Sequence, residues 1–252
     1  MEPILKVTDL SKSFSRAGKN EFFAVDHVSF AVMPGEILGI VGESGSGKST
    51  IAKLITRQID PTAGQIELAG QDITKLKGRS LIPVYAKIQM VFQSPTGSFD
   101  PRRTLGDGIC ESLRNKGVPK AEREEKARRL LEQCGLPGDF LERYPHQVSG
   151  GQCQRAAIAR ALMCDPQVLI FDEATSALDV TVQKQIIDLL QQLQEEKKLA
   201  YLFICHNLAL VQQFCDKIIV LYDGKIVESG LPDEVILHPQ SKYAKRLVDA
   251  IF

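Results

Sequence analysis

The stretch Gly42-Glu43-Ser44-Gly45-Ser46-Gly47-Lys48-Ser49-Thr50 constrains this chain more than any other. It fits G-x-x-x-x-G-K-[ST], a loop that wraps a phosphate chain. The run before it, Glu36 to Val41, is short and apolar and follows Pro34-Gly35, which predicts a buried strand. The run after it sets Ile51, Leu54 and Ile55 at helical spacing. Gly42, Gly45 and Gly47 allow positive φ and bring backbone N–H groups close to an anion. The helix that follows adds the positive end of its dipole. Lys48 can reach β- and γ-phosphates, and the Ser49 hydroxyl can serve Mg²⁺. By itself the loop implies a bound nucleoside triphosphate and leaves its use open.

The chain has 252 residues, with 31 basic and 31 acidic side chains, so charge gives no case for a nucleic-acid partner. No apolar run is long enough to span a bilayer, and Met1 to Lys6 lacks the pattern of a signal peptide. The six cysteines (Cys110, Cys134, Cys153, Cys164, Cys205, Cys215) form no C-x-x-C pair and are expected to be free thiols.

Ile4 to Leu10 and Ala24 to Val32 alternate apolar with polar residues and predict antiparallel strands, with an exposed hairpin loop over Ser15 to Asn20. Phe14 lies just before that loop, where both core packing and stacking on an adenine ring are open to it. A short strand is expected within Pro61 to Gly70, irregular structure over 71–83, and another strand over Ile88 to Gln93. From about 104 to 163 the pattern is helical. Lys120 to Cys134 carries Ala127, Leu130, Leu131 and Cys134 on one stripe, and a further helix is expected from Ser149 through Leu162. Gln167 to Glu173 returns to a buried strand that ends in two carboxylates, Val182 to Leu193 to an amphipathic helix, and Ala200 to Cys205 to a strand. Tyr222-Asp223-Gly224 marks a hairpin. Buried strands alternating with helices predict a parallel sheet covered on both faces, with ligands at the carboxyl ends of its strands. The phosphate loop, Gln93, Asp172, Glu173 and His206 stand at such ends and are candidates for one site.

Asp172 can hold Mg²⁺ together with Ser49, and Glu173 can polarise the water that attacks a γ-phosphate. Val148-Ser149-Gly150-Gly151-Gln152 sets a serine and two glycines at a helix start, a second anion-binding end. Two such ends in one chain make sense if one serves a nucleotide held by another copy.

With these motifs the chain resembles the ATP-binding-cassette (ABC) ATPases over essentially its full length. The resemblance implies an α/β fold: a P-loop NTPase core with a mainly parallel sheet, an antiparallel β subdomain and an inserted α-helical subdomain. All of 1–252 would form a single ABC ATPase domain, with the core near 1–93 and 165–252 and the helical subdomain near 94–164. Val148 to Gln152 is similar to the family signature L-S-G-G-Q, with Val148 in place of leucine. Gln93 matches the glutamine that senses Mg²⁺, Ser176-Ala177-Leu178-Asp179 the loop that crosses the dimer interface, and His206 the histidine that contacts the γ-phosphate. Asn207 stands where the family usually has aspartate. Phe14 falls at the adenine-stacking position.

The implied catalytic set is Glu173, His206, Gln93 and Lys48. The implied nucleotide contacts are Phe14, Gly42 to Thr50, Ser149, Gly150, Gly151, Gln152 and Asp179. Ser49, Gln93 and Asp172 would hold the metal, and the cofactors would be ATP and Mg²⁺. The partners implied are a second cassette, identical or different, two transmembrane permease subunits, and indirectly an extracytoplasmic substrate-binding protein, with no nucleic acid. The chain would sit at the cytoplasmic face of the cell membrane.

Gln93 to Arg102, Tyr144-Pro145-His146-Gln147 and His238-Pro239 resemble the oligopeptide, dipeptide and nickel importer group. The function implied is ATP-driven import of peptides or nickel and metal chelates. The alternative is a soluble mechanical ABC ATPase acting on nucleic acid or ribosomes. Those relatives carry a long insertion or tandem cassettes, and this chain shows neither. A regulatory relative without turnover is a third possibility, against which Glu173 and His206 argue.

Overall fold

The computed structural model describes residues 2–15, 21–94, 96–176 and 178–249. The chain opens with two long antiparallel strands, β1 (Leu5–Phe14) and β2 (Phe22–Val32), then turns at Pro34-Gly35 into β3 (Ile37–Val41). The phosphate loop leads into α1 (Lys48–Ile55), and β4 (Ala63–Leu68) and β5 (Gln71–Asp72) follow. Helix α2 (Ile82–Lys87) leads directly into β6 (Ile88–Val91). Between β6 and β7 the described residues form helices and no strand: α3 (Leu105–Ile109), α4 (Glu111–Asn115), α5 (Lys120–Gln133) and α6 (Gly150–Leu162), with short 3₁₀ turns. The last third alternates β7 (Val168–Asp172), α7 (Val180–Lys197), β8 (Ala200–Ile204) and α8 (Leu208–Phe214). A hairpin of β9 (Lys217–Tyr222) and β10 (Lys225–Gly230) follows, then α9 (Pro232–Leu237) and α10 (Lys242–Asp249).

Two sheets result. The first is antiparallel, in the order β2-β1-β4-β5; the second runs β10-β9-β3-β8-β7-β6. In the second sheet every neighbouring pair from β9 to β6 is parallel, and only β10 at the edge is antiparallel. This is an α/β fold with a mainly parallel sheet and an antiparallel partner sheet.

The strand pattern explains why the large sheet is buried on both faces. Successive side chains of a strand point to opposite faces. Leu169 and Phe171 of β7, and Tyr201 and Phe203 of β8, join the core that contains α5, α6 and α7. Val168 and Ile170, and Ala200, Leu202 and Ile204, join the core shared with α1 and the antiparallel sheet. A strand serving two cores needs apolar residues at every position, which is why these segments read as unbroken apolar runs. Fully burying one such side chain contributes about 1.5–3 kcal/mol. The one polar group in this row, the Tyr201 hydroxyl, donates to Leu190 O at 3.0 Å.

Several elements depart from the sequence expectation. The region 71–83 holds β5 and the start of α2 instead of irregular structure throughout. The helix of α7 extends beyond both expected ends, because Asp179 caps it and the left-handed Lys198 ends it. The strand of β1 runs four residues further than expected, through register shifts that keep it paired with β2 as far as Phe14. The expected hairpin loop lies, over 16–20, outside the described residues. The six cysteines are free, as expected, and five of them are buried. Burial pushes the Cys134 thiol up to about 12 and the Cys153 thiol up to about 11.

Candidate active site

The carboxyl ends of four neighbouring parallel strands carry the site. β3 runs into the phosphate loop, β8 into His206, β7 into Asp172 and Glu173, and β6 into Gln93.

The loop after β3 is built by glycines that no other residue can replace. Gly42 has φ 153° and Gly47 φ 110°. A Cβ on Gly42 would stand 2.2 Å from Leu221 O, and one on Gly47 would stand 2.2 Å from Ala24 O. The loop is thus clamped between β2 and β9 by backbone contact, and Gly224 N–H donates to Ser46 O at 3.0 Å.

Three features of this loop suit it to an anion. Helix α1 has no side-chain cap, so its first-turn N–H groups lack the partner a cap supplies. The buried Ser46 hydroxyl finds no partner among the described residues. Lys48 is buried and, among the described residues, donates to the carbonyls of Gly42 and Glu43, both at 2.7 Å. Burial pulls the Lys48 ammonium below the usual lysine range, and the charges of Glu173 and Asp172 oppose that pull.

The acidic pair faces the loop from β7. Ser49 donates its hydroxyl to Asp172 Oδ1 at 2.9 Å. Burial raises the Asp172 carboxyl above its usual range, the Ser49 hydrogen bond lowers it, and the neighbouring Glu173 raises it further. A buried carboxylate next to a serine hydroxyl is a hard oxygen donor set for a divalent cation. Among the described residues no group of three or more His, Cys, Asp or Glu side chains could hold one unaided. The pair therefore suits an ion that keeps most of its ligands from phosphate and water.

Glu173 has φ 50°, the left-handed region that a β-branched or bulky residue avoids. Three hydrogen bonds hold it there. Its N–H donates to Ile204 O at 3.0 Å, and its carbonyl accepts from Ser176 N–H at 3.1 Å and from the Ser176 hydroxyl at 2.8 Å. Gln93 Nε2 approaches the same hydroxyl at 3.4 Å. Ser176 thus ties the ends of β6 and β7 together.

Ser149 begins α6 with a capping box. Its hydroxyl accepts Gln152 N–H at 3.2 Å, and Gln152 Oε1 accepts Ser149 N–H at 2.9 Å. A Cβ on Gly151 would lie 2.4 Å from Val182 Cγ1, so the glycine lets α6 meet the start of α7. Asp179 caps α7 by accepting Val182 N–H at 3.0 Å. Among the described residues, no hydrogen bond joins Ser149, Gly150, Gly151 or Gln152 to the phosphate loop. Phe14 lies at the end of β1, 38 % exposed, with its ring centroid 5.9 Å from that of Phe22 and 5.2 Å from Lys12 Nζ.

A family model described as "ABC transporter" matches residues 25–176, more than half of the chain. The chain belongs to the ABC transporter family. It is an ATP-binding cassette, an ATPase by family. Its relatives include the oligopeptide transport ATP-binding protein OppF of Streptococcus mutans, 45% identical over 98% of this chain and 81% of that protein. The glutathione import ATP-binding protein GsiA of Salmonella paratyphi A is also 45% identical, over 99% of this chain and 41% of that protein. Among solved structures, the dimeric post-hydrolysis state of the ATP-binding cassette MJ0796 bound to ADP and Pi aligns with TM-score 0.82 and 30% identity, covering 90% of this chain and 98% of that one.

The helix start expected at Ser149 is present, and two further caps were not foreseen, at Asp179 and Asn207. Ser149 and Asp179 are helix caps as well as candidate contacts. Asn207 caps α8 by accepting Leu210 N–H at 3.1 Å. Asn and Asp are equivalent at such a position, which explains how asparagine can stand where the family usually has aspartate. Replacing Asn207 with Asp is expected to change stability by less than about 0.5 kcal/mol, as measured by thermal unfolding. The sequence reading also missed Ser176 as the link between Gln93 and Glu173. A hydroxyl three residues after an acidic strand end is the signal that could have found it.

Proposed function

We propose that this cassette is the ATP-hydrolysing subunit of a membrane importer for peptides, working as one half of a cassette pair. The observation that carries the reading is the separation of two anion-binding helix starts. One is the uncapped α1 beside Lys48; the other is the Ser149-Gly150-Gly151 start of α6, unbonded to the first. A second cassette, identical or different, would lay its own α6 start over this phosphate loop. The dimeric form of the relative with ADP and Pi supports this pairing. The names of OppF and GsiA support peptides as cargo, glutathione being itself a tripeptide. Nickel, the other cargo the resemblance allows, has no observation in its favour here.

No helix among the described residues is long and apolar enough to cross a membrane, so attachment at the cytoplasmic face would run through two permease subunits. An extracytoplasmic binding protein would act through them. A groove of about 410 Å³ between β6 and the helical segment, lined by Tyr85, Met90, Phe92, Glu111 and Arg160, supports a docking place for them. It adjoins Gln93, which would report docking to the site. The helical segment, near 94–164, would move as a unit against the core.

In this reading Lys48 leaves its two carbonyls for the phosphate oxygens, and the Ser46 hydroxyl and first-turn N–H groups of α1 complete the cradle. Phe14 would stack on adenine. Ser49, Asp172 and Gln93 would hold Mg²⁺, which when bound neutralises charge developing on the phosphates. Glu173 would orient the attacking water and take its proton, with His206 against the γ-phosphate. The fixed charges around the phosphate would supply most of the rate gain.

Replacing Ser149 with Asn keeps a helix cap and removes the hydroxyl. ATP-driven pairing is expected to weaken about tenfold or more, the scale of one charge-assisted hydrogen bond. ATP binding by the separate subunit should hold within about twofold. Equal loss in both, measured by size-exclusion chromatography and nucleotide titration, would count against the paired reading. The importer reading is tested by capturing the tagged protein from gently solubilised membranes. Two membrane-spanning subunits and a second cassette are expected, and recovery of ribosomes or nucleic acid instead would overturn it.

A further inference from the structure

The phosphate loop is held from a direction that its own motif does not explain. Glu43 N–H donates to the Tyr243 hydroxyl at 2.9 Å, across 200 residues of chain. The carbonyl of the same peptide unit, Gly42 O, accepts Lys48 Nζ at 2.7 Å. One peptide group is therefore bonded at both ends, to the C-terminal helix at its N–H and to the phosphate-binding lysine at its C=O. A peptide that donates at its N–H becomes a better acceptor at its carbonyl.

Tyr243 is built into this place. It is buried, and its ring centroid lies 4.2 Å from that of Tyr222, at the end of the strand whose Leu221 carbonyl presses on Gly42. The Arg246 guanidinium stands 5.7 Å from the Tyr243 ring and 6.0 Å from the Tyr222 ring. The start of α10 is tied to β10, since the Glu228 carboxylate accepts the N–H groups of Gln240 and Ser241, both at 2.8 Å. The Ser241 hydroxyl in turn accepts Ala244 N–H at 3.0 Å. A continuous line of bonds thus runs from β10 through α10 to the phosphate loop.

We infer that Tyr243 is a positioning residue for nucleotide binding, its hydroxyl holding the Gly42–Glu43 peptide, and with it the resting place of Lys48, in the shape that receives phosphate. Without the hydroxyl the Glu43 N–H is unpaired beside a buried ring, and the loop samples other shapes. Apparent affinity falls by the fraction of time the loop spends in those shapes. At saturating nucleotide the loop is restored, so turnover is spared.

The test compares Tyr243→Phe with wild type in the full chain. The ring, the Tyr222 contact and the Arg246 contact remain, and only the hydroxyl is lost. Dissociation constants for ATP and KM for ATP hydrolysis are expected to rise about three- to tenfold while kcat stays within about twofold. Tyr222→Phe, which alters the neighbouring ring and spares this bond, should move neither by more than about twofold. A lowered melting temperature with unchanged KM would reduce Tyr243 to packing and overturn the inference, as would an equal effect from Tyr222→Phe.

Residue-resolved hydrogen exchange on the nucleotide-free wild type provides a second measurement that needs no variant to fold. The Glu43 amide should be protected, and rapid exchange there would overturn the inference. Because this measurement uses no ATP, it stands or falls apart from the ATPase reading on which the inference rests.

Discussion

Replacing Glu173 with Gln leaves ATP binding near wild type and lowers ATP turnover by about 10²–10⁴-fold, the usual contribution of a positioned general base. The substitution is nearly isosteric, and the bonds that fix this residue all belong to its backbone. The bond from Glu173 N–H to Ile204 O and the two bonds from Ser176 to the Glu173 carbonyl survive the exchange. What is lost is the carboxylate alone, and with it the group proposed to accept a proton from water. Binding is spared because none of the hydrogen bonds that shape the nucleotide-free loop, those of Lys48 to two carbonyls and of Ser49 to Asp172, involves the Glu173 side chain. Phosphate release under saturating ATP, read beside nucleotide titration, checks both halves. Turnover near wild type would remove Glu173 from the role of base.

Replacing Gly47 with Ala has the opposite signature: binding itself is expected to fall by about 100-fold or more, because backbone strain of roughly 1–3 kcal/mol adds to a direct collision. A Cβ at this position would lie 2.2 Å from Ala24 O, and its φ of 110° lies outside what an L side chain readily adopts. Ala24 belongs to β2, a strand paired over much of its length with β1, so the carbonyl cannot retreat without opening the antiparallel sheet. The loop must yield instead, and the N–H groups proposed to face phosphate turn with it. Nucleotide titration measures the loss. Far-ultraviolet circular dichroism should stay near wild type, since α1 and β3 keep their own cores. A wild-type affinity would mean that the loop is not the nucleotide cradle.

Much of this arrangement can be read from residue order, for a physical reason. Strands buried on both faces, such as Val168 to Phe171, are apolar at every position, and the polar residue that ends each run marks where the sheet meets solvent. Asp172 and His206 announce themselves in that way. Helix α5 is equally open, since Ala127, Leu130 and Leu131 form its buried stripe.

The rest is hidden because it depends on contacts between distant segments. Helix α2 begins at Ile82-Pro83, the end of a stretch read as irregular, yet Val84 is buried in the core shared with α1 and the antiparallel sheet. The left-handed backbone of Glu173 has no signature in its residue type; it is imposed by Ile204 on the neighbouring strand. The Tyr243 bond to Glu43 joins two places that nothing local relates.

The order of the parallel strands has a consequence for nucleotide length. β8 separates β3 from β7 in the sheet, so the phosphate-binding strand and the acidic strand stand two inter-strand spacings apart, about 10 Å. The sheet works as a ruler. In the proposed function, a phosphate chain held by the loop after β3 would lie across the end of β8, with its last group toward Glu173 and with Ser49 already bonded to Asp172 at 2.9 Å. On that proposal a diphosphate held at the same loop would leave the far mark of the scale unread, and cleavage would itself be the signal of release.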